Sequence, residues 1–103
     1  MVTRHYRMPS CNRRANRRIL RALEDAGELL AGHQTLFSGG RWAYGVETSS
    51  VVFDNTERYA QLTIRAPDER QLDTARDRIV SSLDKEFSPL YTFRGLPEIR
   101  AEA

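Results

Sequence analysis

The side chains in this sequence best equipped for recognition chemistry are arginines, and they are unevenly placed. Arg4, Arg7, Arg13, Arg14, Arg17, Arg18 and Arg21 all precede Glu24, the first acidic residue. A guanidinium offers a planar fork of donors that fits phosphate and stacks on bases. A run of them without acids makes a local positive field suited to a nucleic-acid backbone. The plainer reading is a solvated helix face. Every basic residue except Lys85 is Arg, a bias that GC-rich coding also produces. The formal net charge is only +2, so any such field is local.

Nucleophilic and metal chemistry have little to work with. Cys11 is the only cysteine, which excludes an internal disulfide and a multi-cysteine zinc site. A Cys–His nucleophile would need His5 or His33, the only histidines, to reach Cys11 beside an oxyanion hole, and nothing marks one. The stretch "SGGRWAYGVE", Ser38 to Glu47, invites a phosphate-loop reading. Such a loop sets its glycines between a strand and a helix N-terminus. The residues after Gly40 alternate like a strand instead, so Gly39-Gly40 reads as a hairpin turn between Leu36–Ser38 and Arg41–Val46.

These residues must be positioned by a small domain. The chain has 103 residues, 40% hydrophobic and 29% charged, with a mean hydropathy of −0.59. That describes one soluble domain with a single core, placed here at residues 1–95 with a short tail at 96–103. No apolar run approaches the roughly 20 residues a membrane-spanning helix needs, so no membrane partner is expected.

Val2 to Met8 alternates Val2, Arg4, Tyr6 and Met8 against Thr3, His5 and Arg7, as a strand does. Pro9 and Ser10 then open a helix whose apolar stripe is Ile19, Leu23, Ala26 and Leu30, with Gly32 as its expected exit. The strand from Arg41 is expected to run on towards Phe53, although Thr48-Ser49-Ser50 breaks its phase, before a turn at Asp54 to Glu57. Tyr59 to Arg65 alternates cleanly, with Ala60, Leu62 and Ile64 towards the core and Tyr59, Gln61, Thr63 and Arg65 opposite. Asp68 is placed to cap a second helix with Gln71 three residues on, and Leu72, Ala75, Ile79, Leu83 and Phe87 form its stripe. A last strand is expected at Leu90 to Arg94.

The order is β-α-β-β-α-β, a ferredoxin-like two-layer α+β sandwich with two helices on one face of an antiparallel sheet. Without the first strand it would become the double-stranded-RNA-binding arrangement. That module needs basic residues at the start of its second helix, where Asp68 and Glu69 stand here.

Taken along the chain, "RALEDAG", "GGRWAYGVE" and "RYAQLTIRAPDERQLD" resemble the bacterial-type small-subunit ribosomal protein six family from Tyr6 to about Arg94. Ala43, Tyr44 and Val46 hold the small, Tyr and Ile places of the family's second strand, while Trp42 stands where leucine is usual and Gly40 where a basic residue is usual. The Thr48 to Asn55 segment also departs from the family's short basic turn. The resemblance implies a non-catalytic protein without cofactor that binds the central domain of small-subunit ribosomal RNA beside small-subunit ribosomal protein eighteen and does not homo-oligomerise. It places RNA contacts at Arg4, Tyr6, Arg41 and Arg94. The arginine-rich first helix adds Arg13, Arg14, Arg17 and Arg18. Trp42 is expected in the core, since it shares a strand face with Tyr44 and Val46.

The acid-free start also resembles a mitochondrial targeting segment, although the same residues fit a structural helix; the departures from the family pattern favour a mitochondrial ribosome over a bacterial one. Three other classes stand beside this one. They are a free-standing single-strand RNA module using the open sheet face, a protein-binding inhibitor or assembly factor, and a small acyl-phosphate hydrolase, for which no phosphate cradle is evident.

Overall fold

The computed structural model describes residues 1–8, 13–34, 39–55, 60–87 and 98–99. Its elements are β1 (Val2–Met8), α1 (Arg13–Ala26), β2 (Glu28–Gln34), β3 (Gly40–Val46), β4 (Ser49–Asn55), β5 (Ala60–Ala66), α2 (Glu69–Phe87) and β6 (Glu98–Ile99). The strands form one sheet in the order β2-β3-β4-β5-β1-β6, with every neighbouring pair antiparallel. This is the expected two-layer α+β sandwich of ferredoxin-like class, widened by two strands between the helices.

Alternation decides which sheet face is buried. Tyr6 and Met8 of β1, Trp42, Tyr44 and Val46 of β3, Val51 and Phe53 of β4, and Ala60, Leu62, Ile64 and Ala66 of β5 all point to one side. Against them pack Ile19, Ala22, Leu23 and Ala26 of α1 and Leu72, Ala75, Ile79 and Leu83 of α2. Each helical set recurs at threes and fours, so each helix buries one stripe. A buried hydrogen bond ties the layers at one end, where Asn55 Nδ2 donates to Asn16 Oδ1 at 2.9 Å.

The second helix begins as its sequence dictates. Asp68 Oδ1 accepts from the Gln71 backbone N–H at 2.8 Å, and this bond holds the Asp68 carboxyl below its usual range. The Gln71 amide reaches the Asp68 carboxylate at 3.1 Å, where a capping box would have it reach the backbone. Because the charged form is the one bonded, the cap is complete above the ordinary carboxylate range and is lost on acidification.

Four expectations are corrected. The first helix ends at Ala26 and not near Gly32: the Gly27 N–H closes its last helical bond to Leu23 O at 3.0 Å, and the chain then passes against the β3 backbone at Gly45. A Cβ on Gly27 would lie 2.3 Å from Gly45 O, so only glycine permits that approach. Leu29 and Leu30, which continue the helical stripe in sequence, therefore belong to β2 and are exposed. The strand that pairs with β3 on this side is Glu28–Gln34, and Gly40, expected in the turn, is inside the ladder opposite Gln34; the expected arm Leu36–Ser38 lies outside the described residues.

The break at Thr48-Ser49-Ser50 proves to be a second hairpin. Val46 pairs with Ser49 across the two-residue turn Glu47-Thr48, and the strand reached by Phe53 is the separate β4, which runs through Asn55. Glu47 takes a φ of 55°, the positive value the first position of a II′ turn requires. Contacts from α2 hold it there: Arg78 donates to Glu47 Oε1 at 2.7 Å, and the Thr48 hydroxyl bonds Gln71. Finally, Glu98 and Ile99, expected in a frayed tail, pair with Tyr6 and His5 of β1. The strand expected at Leu90–Arg94 lies outside the described residues.

Trp42 takes the expected core position, and the glycines explain how. Its indole stacks on Phe53 with centroids 5.8 Å apart at 22°. A Cβ on Gly40 would come within 2.5 Å of Trp42 Cη2, and one on Gly32 within 2.6 Å of Cδ1. Both glycines clear space for the ring, which remains only 9% exposed.

Tyr44 is fully buried, and its hydroxyl has no hydrogen-bond partner among the described residues. Burial, with a smaller contribution from Glu24, pushes its pKa from the ordinary 10.0 up to about 12. Since the folded value is the higher one, the fold gains from the neutral phenol below the unfolded value and loses that gain as pH rises towards 12. Tyr44→Phe is expected to leave stability at neutral pH unchanged or raised and to remove this alkaline loss. Urea midpoints measured by circular dichroism across the alkaline range test it; a large neutral-pH loss in the variant would show a bonded hydroxyl.

Candidate nucleic-acid interface

The arginines that cluster in sequence are divided between β1 and α1, and several of them are met by acids of α2. Arg4 lies on the helix side of β1, opposite Ile64, where its guanidinium pairs with Glu69 in the first turn of α2. Tyr6 is 1% exposed within the core, which removes it as an RNA contact; a strand residue paired with Leu62 must face the helices. On α1, Arg18 lies 5.3 Å over the Phe87 ring and 3.8 Å from Glu86, and Arg21 stands 3.5 Å from the same carboxylate. Arg17 is exposed and has no ion-pair partner among the described residues. The side chains of Arg13 and Arg14, and the whole of Arg94, lie outside the described residues.

The acid-free stretch thus takes acids from α2. Elsewhere the surface of the helical layer is of mixed sign, with Arg76 standing 3.9 Å from Asp73 and 3.5 Å from Asp77. A shallow cleft between the helices is lined by Arg21, Asp25, Lys85 and Glu86 together, again of both signs. Such a surface has no net preference for an anionic polymer.

The other face of the sheet differs. Among the described residues it carries no helix, and the pairing register assembles it in rows. Arg7, Gln61, Asp54, Arg41 and His33 lie side by side across β1, β5, β4, β3 and β2. The next row is His5, Thr63, Val52, Ala43 and Ala31, and the one beyond it holds Thr3, Arg65, Ser50, Gly45 and Glu28. Arg7, Arg41 and Arg65 are exposed; the acids of these rows are Asp54, 3.8 Å from Arg41, and Glu28 at the far edge. Three strand spacings separate Arg7 from Arg41, which is about 14 Å.

Between the arginines sits a polar network. His5 Nδ1 and Thr63 Oγ1 are 2.9 Å apart, and the Gln61 amide reaches Nδ1 at 3.2 Å and Thr63 Oγ1 at 3.3 Å. An amide N–H donated to Nδ1 leaves the neutral ring's proton on Nε2, so His5 offers a donor. A Thr–His contact also occurs in nucleophilic catalysis. Here the amide occupies the nitrogen that would serve as base, and no carboxylate orients the ring among these contacts.

The large aromatics of the described sheet, Tyr6, Trp42, Tyr44 and Phe53, all point into the core. The uncovered face therefore offers cations and hydrogen-bond donors, and no stacking platform among the described residues. The resemblance named Arg41 among the RNA contacts and did not name His5, Arg7 or Arg65, which share this face with it. Alternation had already put Thr3, His5 and Arg7 in one phase of β1 and Gln61, Thr63 and Arg65 in one phase of β5. What it lacked was the register that sets those two phases side by side.

No protein-family model matches the chain, and no curated protein or solved structure matches it either.

Proposed function

We propose that this protein is a non-catalytic RNA-binding component of a ribonucleoprotein, which grips the phosphate backbone with the uncovered face of its sheet. One observation carries the reading. Arg7, Arg41 and Arg65, with His5 and His33 between and beside them, share a face that carries no helix among the described residues, and they outnumber its two acids in the paired rows, Asp54 and Glu28. Spaced cations on a flat sheet fit a backbone whose charge repeats, whereas specific base recognition by stacking would need exposed rings.

The family resemblance gives this reading its setting, the small ribosomal subunit of a mitochondrion or bacterium, with ribosomal RNA and a neighbouring ribosomal protein as partners. The two extra strands between the helices depart from that family's order, so the setting needs its own test. Gradient sedimentation of tagged full-length protein from cell lysate separates the possibilities. Travel with the small subunit, resistant to moderate salt but not to ribonuclease, is the expected result. Migration at the top of the gradient with retained affinity for single-stranded RNA would move the protein to a free-standing RNA module. Absence of RNA binding by filter retention, at about 50 mM salt where backbone contacts are strongest, would overturn the reading altogether.

A further inference from the structure

We infer that β2 is a self-pairing edge, through which two copies of this chain join their sheets in an antiparallel homodimer. The inference does not rest on RNA binding, and it runs against the monomer that the family resemblance implies. The strand Glu28–Gln34 ends the sheet, and all seven of its residues are exposed. An edge strand offers a row of unpaired backbone donors and acceptors, which soluble proteins usually guard with lysine, proline or a covering element. The sequence ELLAGHQ contains neither lysine nor proline. Among the described residues its guarding devices are the charge of Glu28 at its start and the bulge between Leu29 and Ala31.

The exposed large hydrophobics point to the same edge. Apart from Met1 they are Leu29, 45% exposed, and Leu30, 61% exposed, among the described residues. Their faces are set by the ladder. Leu29 opposes Tyr44 and Gly32 opposes Trp42, so both lie on the helix side of the sheet. Ala31 opposes Ala43, His33 opposes Arg41 and Glu28 opposes Gly45, so these lie on the uncovered side. The bulged Leu30 joins them there, with its methyl 3.7 Å from where a Gly45 Cβ would stand.

A two-fold axis between Leu30 and Ala31 then matches every pair by face and by chemistry. Leu30 meets Ala31 of the second copy, and Leu29 meets Gly32, beside the Trp42 ring that lies over that glycine. Glu28 meets His33, an acceptor against a donor, with the Arg41 cation next to it on the same face. Like faces oppose in an antiparallel pair, so the uncovered faces of both copies become one surface twice as wide. A contact confined to one strand edge is below the size of a permanent interface, so the equilibrium is expected in the micromolar range.

Analytical ultracentrifugation of the full chain from about 1 to 200 μM tests this against that size expectation. The expected result is a monomer–dimer equilibrium. Leu30→Lys, an edge-guarding substitution, is expected to weaken it at least about tenfold with an unchanged circular-dichroism spectrum. His33→Glu sets a second carboxylate opposite Glu28, and Glu28→Arg sets a second cation beside Arg41, so each should weaken it, while the double variant restores a pair of opposite charge. A monomer throughout the concentration range overturns the proposal. So does a dimer indifferent to all these variants, which would use another surface.

Discussion

Replacing Arg7 and Arg65 together by Glu is expected to lower affinity for single-stranded RNA by on the order of a hundredfold at moderate salt, with the fold intact. Both side chains are exposed on the uncovered face, and neither residue contributes to the core. The milder Arg7→Ala and Arg65→Ala pair should flatten the dependence of log affinity on log salt by about 1.4 units, because each phosphate contact on a single strand releases about 0.7 counterion. The control is the opposite layer. Arg18→Ala with Arg21→Ala removes two charges that lean on Glu86, so the slope should barely move. Equal losses from both pairs would mean that net charge alone matters and that the sheet face has no special part. Greater loss from the helix pair would transfer the interface to α1.

Trp42→Ala is expected to cost about 3–5 kcal/mol, the range for removing a large buried aromatic. A domain of this size has about 5–15 kcal/mol in all, so the variant would sit close to unfolding. The loss should exceed the transfer cost of the indole because the site cannot collapse. Its floor is backbone at Gly32 and Gly40, and its wall is Phe53, stacked at 5.8 Å. Trp42→Phe keeps part of the stack and should cost less. Trp42 is the only tryptophan, so far-ultraviolet circular dichroism in urea must replace intrinsic fluorescence as the probe. A loss below about 1 kcal/mol would show that the ring is not packed as described.

Much of the fold was legible because its signals are local. The Asp68 cap, the α2 stripe and the phases of β1, β3 and β5 depend on residues within a few positions of one another, where periodicity speaks directly. The end of α1 was not legible. Leu29 and Leu30 continue a sound helical stripe, and what stops the helix is the approach of Gly27 to the β3 backbone at Gly45. The β3–β4 hairpin was missed because its turn is Glu47-Thr48, with a positive φ on a residue that does not advertise one.

The candidate interface divides along the same line. By itself the sequence determined the strand phases, the helix faces, the burial of Trp42 and the surplus of arginine at the start of the chain. It could not say which arginines would remain available. Arg4 meets Glu69, 65 residues away, and Arg18 and Arg21 meet Glu86 near the far end of α2. Arg7 and Arg65 come to one uncovered face through pairing with different partners. Coulomb interaction depends on separation in space, and only the packing of α2 over β5 and β4 and beside α1 fixed those separations.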